Sequence, residues 1–145
     1  DEKILFIVEA TQLDRAIRNA IRIGLDKIIS WASPDLLEQV NALATVDEID
    51  SAEMESMSQC NKLDVRKAGE FQDGAIEGAT NIAHTRLLSR LDELDKSKPL
   101  IVNCQGGTRS AAACMALKRC GFKVTNLAGG FGGYAKHQVS APATQ

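Results

Sequence analysis

Aromatic residues are scarce. They make up 4% of the 145 residues, with one Trp, one Tyr and four Phe. That leaves no platform of stacked rings for a single-stranded nucleic acid. No sign of charge dominates either: 17 Lys and Arg stand against 19 Asp and Glu, a net charge of −2. Neither nucleic acid nor an anionic membrane surface is therefore an expected partner. No apolar run reaches membrane-spanning length, and no signal-peptide pattern opens the chain. The two histidines, His84 and His137, have no ligand spacing, and Cys60, Cys104, Cys114 and Cys120 match no zinc pattern. The expectation is no metal. A domain of this size needs no disulfide staple, so the cysteines point to a reducing compartment, and the expected location is cytoplasmic.

What is present is ordinary in bulk, 44% hydrophobic and 25% charged, and long enough for one domain or one domain plus a fragment of another. Ile4 to Val8 reads as a buried strand. Thr11 then reads as a helix N-cap, with Asp14 three residues on. Leu13, Ala16, Ile17, Ala20 and Ile21 mark one helical face, and Gly24 ends the helix. Lys27 to Trp31 reads as a second strand, and Ser33-Pro34-Asp35 opens a helix to about Val40. A domain boundary is placed near Ala44. Beyond it the reading is a strand over 45–49, a helix capped by Ser51, a strand over Leu63 to Arg66 and a helical turn over Lys67 to Phe71. A strand over Thr80 to Ala83 and a helix over Thr85 to Leu94 follow, then an apolar strand from Leu100. A helix over Ser110 to Cys120, a strand over Lys123 to Leu127, a glycine-rich turn and a short helix from Tyr134 complete the domain, with 141–145 a frayed tail. Strands alternating with helices predict an α/β fold with a largely parallel sheet, helices on both faces and a ligand crevice at the carboxyl ends of the strands.

Cys104 lies at such an end, in Cys104-Gln105-Gly106-Gly107-Thr108-Arg109-Ser110. The glycines let the backbone curl so that successive N–H groups point inward. The start of the following helix adds its partial positive charge, and Arg109 a full one. Such surroundings favour the thiolate, so Cys104 reads as a nucleophile. Ile4 to Leu25 echoes Leu100 to Phe122, with Glu9 near the cysteine position. Two unrelated strand–helix units would give the same pattern, and both readings stay open.

From about Val46 to His137 the chain resembles a rhodanese (sulfurtransferase) domain. The resemblance rests on Leu63-Asp64-Val65-Arg66, Glu70-Phe71, Gly74-Ala75-Ile76-Glu77-Gly78-Ala79, Asn81-Ile82, the Cys104 loop and Asn126-Leu127-Ala128-Gly129-Gly130-Phe131, in that order. It departs from the family at Ala75, where a structural histidine is common. The resemblance implies a central, mostly parallel five-stranded sheet over residues 45–140. It implies transfer of sulfane sulfur from thiosulfate or a persulfide to a thiol or cyanide through a Cys104 persulfide, with no cofactor. Gln105, Gly106, Gly107, Thr108, Arg109 and Ser110 would bind the substrate, and Asp64 and Arg66 would support the loop. Residues 1–44 resemble the end of an inactive rhodanese copy, of the kind that precedes an active one in fusions with metallo-β-lactamase-fold enzymes. With a first residue of Asp rather than Met, the chain then reads as the C-terminal part of a longer protein. The strands of 1–44 need a sheet partner, which a homodimer through these residues, the adjoining domain or upstream chain would each supply.

Two rival readings remain beside this one. A cysteine phosphatase or arsenate reductase on a related fold places five residues between cysteine and arginine, whereas Gln105, Gly106, Gly107 and Thr108 are four. The shorter loop makes a cradle better sized for one sulfur than for a phosphate. A regulatory or sulfur-relay module within a larger enzyme is the other.

Overall fold

The structure, a computed structural model, describes residues 3–40 and 45–140. The expected features of 41–44 and of the tail 141–145 lie outside the described residues. The chain divides into two compact units, Asp1–Leu43 and Ala44–Gln145. No helix among the described residues is long and apolar enough to cross a membrane.

The first unit pairs β1 (Ile4–Ile7) in parallel with β2 (Ile28–Ala32) and joins them through α1 (Leu13–Arg22); a single turn, α2 (Asp35–Glu38), follows. Thr11 does not cap α1. It lies inside a 3₁₀ turn, Ala10–Gln12, that runs straight into the helix, so Gln12 takes the cap position with no side-chain bond. After Glu38 the Gln39 and Val40 N–H groups bond three residues back, to Leu36 and Leu37, so α2 tightens and stops short of Val40. Ala20 is the only buried hydrophobic residue among those described in this unit, while Leu5, Ile7, Ile21, Ile23, Ile29 and Trp31 are exposed.

The second unit is built on a five-stranded, all-parallel sheet. Its strands are β3 (Glu48–Ile49), β4 (Asn61–Asp64), β5 (Ala79–Asn81), β6 (Leu100–Asn103) and β7 (Val124–Leu127), in the order β3-β7-β6-β4-β5. Its helices are α3 (Ser51–Ser56), α4 (Ala68–Gln72), α5 (Thr108–Arg119) and α6 (Gly130–Ser140). β6 is buried at every position. A central parallel strand covered on both faces loses the apolar–polar alternation of a half-exposed one. On one face Leu63, Val65 and Val102 pack with Ala113, Cys114 and Leu117 of α5. On the other, Ile101 and Leu127 pack with Met54 of α3 and with Phe131 and Tyr134 of α6. Helices thus cover both faces, as the alternation of elements predicts.

In this second unit four further expectations are corrected. Asp50, not Ser51, caps α3. Its carboxylate accepts the Glu53 N–H at 2.8 Å, and Glu53 accepts the Asp50 N–H at 3.0 Å. Only Asp50 has a glutamate three residues on to close this reciprocal box; Ser51 has Met54, which is needed in the core. The strand read over 63–66 is β4, two residues earlier, because its pairing with β6 starts at Asn61. The helix expected over 85–94 is two 3₁₀ turns, Leu87–Ser89 and Leu91–Glu93, broken at Arg90 (φ −132°). Leu91 and Leu94 still pack on the core, since their spacing of three suits three residues per turn. Finally, α6 begins at Gly130 rather than Tyr134, for a reason that belongs to the site.

Candidate active site

β6 delivers Cys104 to the carboxyl end of the sheet, where the residue is 1% exposed. The backbone then turns through Gly107, which has φ 100° and caps α5 in the left-handed region. A side chain there would be strained, and glycine removes the penalty. This turn aims the Gly107 N–H at the Cys104 Sγ, 3.2 Å away. The Ser110 hydroxyl, one turn into α5, lies 3.4 Å from the same sulfur and 2.9 Å from the Gly107 carbonyl. Burial alone pushes the Cys104 thiol up. Hydrogen bonds from the Ser110 hydroxyl and from the Ser110, Gly106 and Gly107 N–H groups outweigh it, and the net displacement is downward. The 12-residue α5 points its amino end at the sulfur and adds to the same effect. The structure therefore holds a thiolate-favouring cysteine in a pocket of N–H donors.

The loop is locked from outside by three contacts. The first is α6. The Phe131 N–H donates to the Cys104 carbonyl at 2.7 Å, and the Gly132 N–H to the Gln105 carbonyl at 3.0 Å. Orphan donors of a helix amino end thus find partners in the loop. This docking is why α6 starts inside the glycine-rich segment, against the low helix propensity of glycine.

The second contact is a buried cation. Arg66 is 2% exposed and binds the Asp64 carboxylate at 2.7 Å through Nη2. Asn103 donates to the same carboxylate at 3.0 Å. Arg66 also donates to the Gly74 carbonyl at 2.7 Å and to Gln105 Oε1 at 3.3 Å, and lies 4.1 Å from the centre of the Phe131 ring. Asp64 and Arg66 are therefore joined to the loop through Gln105. Ala75, where the family often has histidine, follows a carbonyl already fastened by Arg66.

The third contact is between Arg109 and Glu70. Arg109 Nη1 and Nη2 bond Glu70 Oε2 and Oε1 at 2.9 and 2.8 Å. Glu70 sits in the first turn of α4 and also accepts the Lys67 N–H at 3.2 Å. The Arg109 guanidinium holds the Glu70 carboxyl down to about 2, and Glu70 in turn raises Arg109.

The structure brings Cys104, Gln105, Gly106, Gly107, Thr108, Arg109, Ser110, Asp64 and Arg66 into one region. The sequence reading missed Glu70, Gly130 and Phe131 as parts of it; the signal for Glu70 was its position three residues after Lys67, at the start of a helical turn. It also missed Asn126, a buried residue whose Nδ2 lies 2.6 Å from Glu48 Oε1, while its Oδ1 has no hydrogen-bond partner. Cys114 is buried in the core and pushed up to about 12, chiefly by that burial. No cluster of three His, Cys, Asp or Glu side chains among the described residues could hold a metal ion.

Residues 50–137 match the model of the rhodanese-like domain, and the chain belongs to that family. It is 40% identical over 70 residues to YqhL of Bacillus subtilis, an uncharacterised protein, covering 48% of this chain and 56% of that one. A sulfurtransferase of Allochromatium vinosum is 33% identical over 108 residues, covering 69% of this chain and 98% of its own length. Among solved structures, a rhodanese-related protein from Thermoplasma volcanium superposes with a TM-score of 0.60 at 29% identity, over 66% of this chain and 95% of that one.

Proposed function

We propose that the second unit is a sulfurtransferase that carries sulfane sulfur on Cys104. The observation that supports this best is the Cys104 sulfur itself, buried yet met by the Gly107 N–H and the Ser110 hydroxyl. The Cys104 thiolate attacks the outer sulfur of a donor, and the donor's sulfur–sulfur bond breaks. Thiosulfate leaves as sulfite; a persulfide leaves as a thiolate that takes up the proton. The Cys104 persulfide is anionic, and the same N–H groups stabilise it. A thiol or cyanide then removes the sulfur. Gln105 and Thr108 shape donor choice at the mouth of the loop, and Asp64 and Arg66 keep its surroundings rigid. Intact mass spectrometry after donor treatment tests this. The expected result is a gain of one sulfur, lost on adding cyanide and absent in Cys104→Ser. A Cys104→Ser variant that still carries sulfur from donor to cyanide would sink the assignment.

The first unit supports a second, structural reading: residues 1–44 are the closing half of another, inactive rhodanese-like copy, within a longer sulfur-handling protein of the metallo-β-lactamase-fold fusion type. The Ile4 N–H bonds the Lys27 carbonyl as the Leu100 N–H bonds the Lys123 carbonyl, 3.0 and 2.9 Å. Gly24 (φ 81°) and Gly121 (φ 84°) end their helices with the same pair of bonds: Gly24 to Ile21 and Leu25 to Ala20, Gly121 to Lys118 and Phe122 to Leu117. Two parallel strands do not hold a fold alone. Slow hydrogen exchange in 1–43 is expected only when upstream chain or a second copy, as in a homodimer, supplies more strands. Strong protection in the monomeric 145-residue chain would refute this. All four cysteines are free thiols, which accords with a cytoplasmic setting.

A further inference from the structure

We infer that Glu70 sets donor selectivity by cancelling the charge of Arg109, so that the Cys104 site takes a persulfide bearing little charge in preference to a dianion such as thiosulfate. This rests on the sulfurtransferase reading above and names its substrate class. A dianion approaching an anionic thiolate needs a cation with charge to spare. The loop has two arginines beside it, and each is bound to a carboxylate; what Arg109 has left is directed at the Cys104 sulfur. Arg66 is buried against the Asp64 carboxylate at 2.7 Å. Arg109 is bound through both of its terminal nitrogens to both Glu70 oxygens, at 2.8 and 2.9 Å. With Cys104 ionised, these five groups sum to one negative charge. Glu70 is not a mobile surface acid that a substrate displaces freely. Its Oε2 is also tied to the Lys67 N–H at 3.2 Å in the first turn of α4, so it is held at both ends. Bidentate pairing of guanidinium with carboxylate is among the stronger polar contacts a half-buried site can make. The carboxyl titrates down near 2, so the pair persists across the physiological range. A persulfide without other charged groups carries at most one negative charge, and none in the R–S–SH form that reacts, so it suffers much less of this repulsion than a dianion. In the transfer, the Cys104 thiolate bonds to the terminal sulfur of R–S–SH and the S–S bond of the donor breaks. R–S⁻ takes the proton, leaving Cys104–S–S⁻.

The test is single-turnover loading of Cys104, followed by quenched-flow mass spectrometry with thiosulfate and with 2-hydroxyethyl persulfide. The wild type is expected to load faster from the persulfide. Glu70→Gln keeps an oxygen for the Lys67 N–H but frees the Arg109 charge. It should raise the second-order loading constant for thiosulfate about tenfold, the effect of one added charge at close range, with little change for the persulfide. Rising salt should shrink that gain. The double variant Glu70→Gln/Arg109→Gln should lose it, which separates charge from mere positioning. A Glu70→Gln variant that leaves the ratio of the two donors unchanged, or slows both alike, overturns the inference while the sulfurtransferase reading stands. Failure of the wild type to load from either donor overturns both.

Discussion

Gly130 approaches the Cys104 carbonyl so closely that a Cβ built on it would lie 2.3 Å from that oxygen and 2.9 Å from the Gln105 carbonyl carbon. The residue also has φ 57°, a region that L side chains avoid. Contact and conformation demand glycine for separate reasons. Together they let the amino end of α6 bind the Cys104 loop from behind.

Gly130→Ala should therefore cost stability and loop geometry at once. A destabilisation of at least about 2 kcal/mol is expected from the backbone strain plus the clash. Urea denaturation measures the first effect, and the rate of Cys104 alkylation in the folded fraction the second.

Asp64→Asn should cost about 3–5 kcal/mol, because Arg66 would stay buried without its counter-charge. Thermal denaturation reads the loss. Asn103 and the Gln105 link share this network, so Cys104 reactivity should fall in the same variant.

Alkylation by iodoacetamide should reach its plateau at lower pH for Cys104 than for an unperturbed thiol, since the folded site favours the thiolate. Ser110→Ala removes one of the stabilising hydrogen bonds and should move the midpoint upward. Cys114, pushed up to about 12 and fully buried, should stay unmodified until the chain unfolds. Peptide mapping after timed labelling distinguishes the sites.

Acid should release the clamp between Glu70 and Arg109. Folded Glu70 binds its proton less readily than in the unfolded chain, where its value is near 4.5. Its contribution to stability is therefore complete above about 4.5 and is lost as pH falls toward 2. In Glu70→Gln that component of the pH dependence should vanish from urea denaturation curves taken between pH 5 and about 2.

Much of this site could be read along the chain. The strand into Cys104, the glycines after it and the helix beyond are neighbours in sequence, so local geometry ties them to the sulfur. Glu70, 39 residues from Arg109, and Gly130, 26 from Cys104, carry no local mark of the distant partner each one meets. The helix read from Tyr134 illustrates the cost. Four glycines between 129 and 133 argue for a turn by propensity, yet two N–H groups there gain loop carbonyls as partners and continue the helix.

By itself, the sequence determined the alternation of strands and helices, the place of Cys104 at a strand end and the four-residue spacing to Arg109, because each depends on residues close along the chain. Only the tertiary structure decided that Arg109 faces Glu70 and that Arg66 is buried beneath Gln105. It also decided that α6 closes on the loop. Charges and carbonyls pair through space, and a parallel sheet brings together segments that the sequence keeps far apart.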